Sequence, residues 1–160
     1  SVRAALHALS EMPVKGRRIA VLGDMLELGQ ESPALHRSVG VHLAQRGIDR
    51  LFTLGEGGDQ IAIGARQKGM PLARIQRRRD VKDLSGMAEL LSKELKDGDV
   101  VLFKASRGVH AEEIISQLRE ILDQIFFQLF QFLLNLNFLK LLQIVYKLVL
   151  HLLGILRLLI

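Results

Sequence analysis

Four short apolar runs, separated by stretches of helical pattern, constrain this chain more than any other feature. The runs are RIAVL at 18–22, RLFTL at 50–54, ARIQ at 73–76 and DVVLFKA at 99–105. A helix is expected over 2–9, with Ser1 as its N-cap. Ser32 and Pro33 supply an N-cap and an N1 proline for a second helix to about 45, which Gly47 stops. Its Leu35, Val39 and Leu43 recur at i, i+4, i+8 and predict one buried stripe. A Gly-rich turn, GEGG, then leads to a helix through Ile61 and Ala65 to Gly69, and another helix is expected over 80–95. The near-continuous apolar run at 99–105 reads as a strand covered on both faces. A last helix carries Ile114, Ile115, Leu118, Ile121 and Leu122 on one side. Strands alternating with helices imply βαβ units, so the fold class is α/β: a Rossmann-like, mostly parallel sheet flanked by helices.

In such sheets ligands collect at the carboxyl ends of the strands. Asp24 follows the first strand, Gly55 the second, and Lys104, Ala105, Ser106 and Arg107 the last, so three polar loops should share one rim. GEGGDQ at 55–60 fails the dinucleotide fingerprint because Gln60 stands where a third glycine belongs, and no GxxxxGK[ST] phosphate loop occurs. KASRG at 104–108 packs a lysine, a hydroxyl and an arginine between a strand and a helix start, a group suited to a phosphate or carboxylate. The purely structural alternative is that Lys104 snorkels while Ser106 caps the helix. The five histidines show neither HxH nor HExxH spacing, so no metal site is expected. His36 starts a helix that faces the same rim as Asp24; pairing with Asp24 is one reading, and an exposed surface histidine is the expected one.

Composition decides three further points. Cysteine is absent, which fits a reducing, cytoplasmic setting. The opening SVRAALHALSEM has no signal-peptide core and no initiator Met, so the chain reads as cut from something longer. The net charge of +5 does not indicate nucleic acid: before residue 125 there are 19 Lys+Arg against 17 Asp+Glu. Arg77, Arg78 and Arg79 read as a solvated connection without interleaved aromatic residues.

The pattern changes beyond Leu122. From Ile125 the chain has no Ala, Ser, Thr, Asp, Glu or Pro and holds five of the seven Phe. We therefore separate a domain at 1–123 from an apolar helical tail at 124–160. The tail has a narrow polar stripe and a wide apolar face, and polar residues interrupt every stretch of 18. It suits an interfacial or partner-buried helix, with membrane association or self-association as its consequence. Foreign or out-of-frame coding would leave the same compositional break.

The run GRRIAVLGDMLELGQES, the later LHRSVG, and DVVLFKASRG with AEEII resemble the C-terminal domain of the Mur ligases, in order, over about 1–122. The GDMLELG run at 23–29 is the most specific part, and Ala105 stands where the family has glycine. The resemblance implies a three-domain enzyme of peptidoglycan synthesis whose first two domains, including the P-loop domain, are missing ahead of Ser1. ATP with Mg2+ would phosphorylate the carboxylate of UDP-MurNAc-tripeptide, and the amine of D-alanyl-D-alanine would attack the acyl phosphate. By the same resemblance Asp24, Glu27, Lys104, Ser106 and Arg107 bind substrate, with no catalytic side chain assigned. The segment alone is expected to bind no cofactor and to be inactive. The alternative is a non-catalytic Rossmann-like module that binds a phosphorylated small molecule on the same rim.

Overall fold

The computed structural model describes residues 2–25, 29–135, 140 and 142–149. The chain divides into two units, Ser1–Arg119 and Glu120–Ile160.

The first unit is built on β1 (Arg18–Leu22), β2 (Arg50–Leu54), β3 (Ile75–Arg78) and β4 (Val100–Lys104), all parallel, in the order β3-β2-β1-β4. Ala20 lies opposite Leu51 and Leu102, and Leu51 opposite Ile75. Alternate residues of a strand face opposite sides. Ala20, Leu22, Leu51 and Ile75 share one core with Leu6 and Leu9 of α1 (Val2–Glu11), Val39 and Leu43 of α2 (Ser32–Gln45), and Ile61, Ala62 and Ala65 of α3 (Gly55–Gln67). Ile19, Val21, Phe52 and Leu54 of the other face are equally buried, as are Met87, Ala88 and Leu91 of α4 (Leu84–Glu94) and Ile114 and Leu118 of α5 (Ala111–Leu134). The expected α/β class, a parallel sheet flanked by helices, is what the chain adopts.

Several boundaries differ from expectation, each for a physical reason. Glu31, not Ser32, is the N-cap of α2, and the Ser32 hydroxyl is turned to His36 instead. The buried stripe of α2 is His36, Val39, Gly40 and Leu43, while Leu35 is 38% exposed. GEGG is the first turn of α3, not a loop. β3 is shifted downstream behind a 3-10 turn at Leu72–Arg74, so Arg77 and Arg78 belong to an edge strand and only Arg79 follows it. β4 is half-buried and lies at the sheet's other edge, because parallel strands are buried on both sides only in the middle of a sheet. Helix α4 starts at Leu84, where the Asp83 carboxylate accepts the Gly86 N–H at 3.0 Å. Ile115 and Leu122, placed on the apolar side of the last helix, are exposed.

Helix α5 runs on past residue 123 to Leu134, and 142–149 is also helical. In the second unit Phe126, Phe127, Phe130 and Phe132 are exposed, as are Leu142, Val145, Tyr146, Leu148 and Val149. Among the described residues no helix is long and apolar enough to cross a membrane.

Candidate functional site

A parallel sheet ordered 3-2-1-4 reverses its winding between β1 and β4, and ligands of such sheets sit in the crevice outside the carboxyl ends of those two strands. β1 delivers Gly23, Asp24 and Met25 there, and β4 delivers Lys104, Ala105 and Ser106. The two loops are tied directly. The Gly23 N–H donates to the Lys104 carbonyl at 3.1 Å, and the Ser106 N–H donates to the Asp24 carbonyl at 3.0 Å. A Cβ built on Gly23 would lie 2.8 Å from the Ala105 methyl, so glycine at one position makes room for alanine at the other. Ala105 has no positive φ, so it does not need the conformational freedom of the family glycine.

The Asp24 carboxylate faces across to β2. Its Oδ1 accepts the Gly58 N–H at 3.1 Å. Helix α3 has Leu54 at its N-cap position and no side-chain cap hydrogen bond, and the Asp24 carboxylate reaches across to the end of its first turn. The position also suits the partial positive charge of a helix N-terminus. Gly55 has φ +83°, and a Cβ there would lie 2.4 Å from both carboxylate oxygens. Gly55 of GEGG therefore serves to admit Asp24.

His36 is 1% exposed, which overturns its expected place on the surface. It does not pair with Asp24. Its Nε2 accepts the Met25 N–H at 2.9 Å, while Nδ1 lies 2.7 Å from the Ser32 carbonyl oxygen. A carbonyl only accepts, so the ring is the neutral tautomer with its proton on Nδ1. A Cβ on Gly57 would come within 2.3 Å of Nε2, so the first turn of α3 lies against the ring. Sequence reasoning missed this residue because histidine is usually exposed. The signal available was its spacing of three, four and seven residues from Val39, Gly40 and Leu43.

Of the residues expected to bind substrate, Asp24 and Ser106 are brought together and Lys104 stands exposed beside them. Glu27 lies outside the described residues, and of Arg107 the backbone begins a 3-10 turn, Arg107–Val109. That turn and His110, with φ 50°, intervene before α5 starts at Ala111, so KASRG does not run straight into an α-helix as its sequence suggested. An open groove of about 560 Å³ lies elsewhere, lined by Asp59, Leu72, Ile75, Gln76, Arg77 and Arg79, and contains none of the five. Arg77 and Arg79 both reach the one carboxylate of Asp59, at 3.6 and 3.4 Å, so this cluster keeps a net positive charge.

Residues 1–107 match the family described as Mur ligase, glutamate ligase domain. The chain is 38% identical over 120 residues to the UDP-N-acetylmuramoyl-tripeptide–D-alanyl-D-alanine ligase of Bacillus subtilis, covering 75% of this chain and 25% of that one. It is 36% identical over 118 residues to the ligase of the same name from Synechocystis, covering 74% and 24%. The crystal structure of the MurF ligase from Thermotoga maritima in complex with ADP superposes with a TM-score of 0.60 at 27% identity, over 77% of this chain and 26% of that one. The chain thus spans about a quarter of the length of these relatives. The matched stretch contains the whole sheet and both loops of the crevice, and on that ground the chain belongs to the Mur ligase family.

Proposed function

We propose that this chain is the closing domain of an ATP-dependent ligase that joins D-alanyl-D-alanine to UDP-MurNAc-tripeptide in cytoplasmic peptidoglycan synthesis. The observation that carries this reading is the pair of backbone hydrogen bonds joining the loop after β1 to the loop after β4 at the switch point. The two runs that resemble the family thereby meet at one crevice. The names of the relatives support the choice of substrates.

In this reading Lys104, Ser106 and Arg107 meet carboxylate or phosphate oxygens, because cations and a hydroxyl there can form charge-assisted bonds. Glu27 and the outer face of Asp24 draw the ammonium of the incoming dipeptide. Holding that amine in line, away from bulk water, is the domain's contribution to the rate. ATP, when bound, supplies the phosphoryl group that activates the tripeptide carboxylate. The exposed Lys104 has the chemistry to meet its phosphates, but the chain contains no phosphate loop. Among the described residues no group of three or more His, Cys, Asp or Glu is arranged to hold a metal, so Mg2+ is assigned to no residue here.

The test joins the full chain to the remaining three quarters of the Bacillus subtilis relative and measures dipeptide-dependent phosphate release. Arg107→Ala should cost about 1.5–3 kcal/mol in kcat/KM, the worth of one charged hydrogen bond. Arg79→Ala, at a side chain 82% exposed and away from the crevice, should change little. Equal effects of the two would remove the reading.

A further inference from the structure

We infer that His36 is a positioning residue that holds the two loops of the crevice in register through a single peptide group. The peptide between Asp24 and Met25 is bonded at both ends. Its carbonyl accepts the Ser106 N–H at 3.0 Å, and its N–H donates to His36 Nε2 at 2.9 Å. Peptide groups are planar, so fixing the N–H end fixes the direction of the carbonyl. Bonds chained through one amide also polarise one another.

His36 is itself fixed on every side. Its Nδ1–H is engaged by the Ser32 carbonyl one turn back in α2, and the ring is closed off by Gly57 of α3. Burial to 1% exposure leaves the ring little freedom to adopt another rotamer. The same Asp24 gives its carboxylate to the Gly58 N–H, so the loops after β1 and β4 and the first turn of α3 are all joined at Asp24. Losing the histidine acceptor would free the Met25 N–H and, with it, the orientation of the carbonyl that Ser106 uses. The geometry of the crevice would then loosen while the sheet beneath it stayed folded. The consequence for substrate binding rests on the ligase reading above; the hold on the peptide does not.

The experiment compares His36→Leu and His36→Gln with the wild-type chain by amide hydrogen exchange resolved by NMR. His36→Leu should speed exchange at Met25 and Ser106 together by about tenfold, the loss of one hydrogen bond, and leave the Phe52 amide of β2 unchanged. His36→Gln carries an amide oxygen able to accept the Met25 N–H and should restore most of the protection. In the joined ligase, His36→Leu should raise KM for the dipeptide several-fold. Equal acceleration at Phe52, or loss of protection at Met25 without Ser106, would overturn the inference. So would an unchanged dipeptide KM in His36→Leu when Arg107→Ala raises it. If the amides respond as expected and neither variant alters KM, His36's hold on the peptide stands and the substrate reading of the crevice fails.

Discussion

Asp99 has 3% of its side chain exposed, and it shows how one carboxylate secures the pole of the sheet opposite the crevice. Its Oδ1 accepts the Arg17 N–H at 2.8 Å and the Arg17 Nε–H at 3.2 Å, and its Oδ2 accepts the Lys96 N–H at 2.9 Å. The Arg17 hydrogen bond, ahead of the backbone donors, holds the Asp99 pKa well below the usual carboxylate range, against the opposing effect of burial. A group whose pKa is lower folded than unfolded adds stability that is complete above its unfolded value, roughly 4, and is lost as pH falls through the depressed one. Asp99→Asn should therefore cost about 3 kcal/mol at pH 7 and flatten the acid limb of the stability curve. Urea unfolding from pH 7 down to pH 2 measures both. A mutant that loses stability in parallel with wild type over that range would show that Asp99 is not the titrating group.

Among the elements, α2 and α3 meet backbone to backbone. A Cβ on Gly40 would lie 1.9 Å from the Ile61 carbonyl oxygen, and one on Gly64 would lie 2.0 Å from that of Arg37. Neither obstacle is a flexible side chain, so the helices would have to separate. Gly64→Ala should then cost about 3 kcal/mol or more, an overpacking effect at the top of its usual range, read as a lower urea midpoint at unchanged slope. Separation would also lift Gly57 from His36, so the crevice should loosen with it. The strands were legible from sequence because runs such as RIAVL leave few other conformations open. The close contact of α2 with α3 was not, because a glycine needed for space looks the same in sequence as one needed for a turn. GEGG was read as a loop for that reason, although its glycines make room for Asp24 and His36. The rim was legible as the segments after three parallel strands, although the one after β2 is the first turn of α3 and not a loop. The bonds joining them were not, because they run through backbone groups that carry no sequence signature.

For the molecule as a whole, we propose that the exposed aromatic residues beyond Arg119 govern its behaviour in water. Phe126 is 70% exposed, and leaving such surface wet costs about 25 cal/mol per Å². We expect the full chain to self-associate or partition into detergent, and a chain ended after Asp123 to sediment as a soluble monomer with α/β circular dichroism. A monomeric full chain together with an unfolded short one would show that the tail belongs to the core. The sheet adds an asymmetry of its own. One edge strand, β3, carries Arg77 and Arg78, whereas the other, β4, reads VVLF between Asp99 and Lys104. Two copies approaching along β3 bring like charges together, but two approaching along β4 bring only apolar, β-prone residues and open backbone groups. Misassembly of this chain therefore has a direction: a stray sheet grows outward from β4.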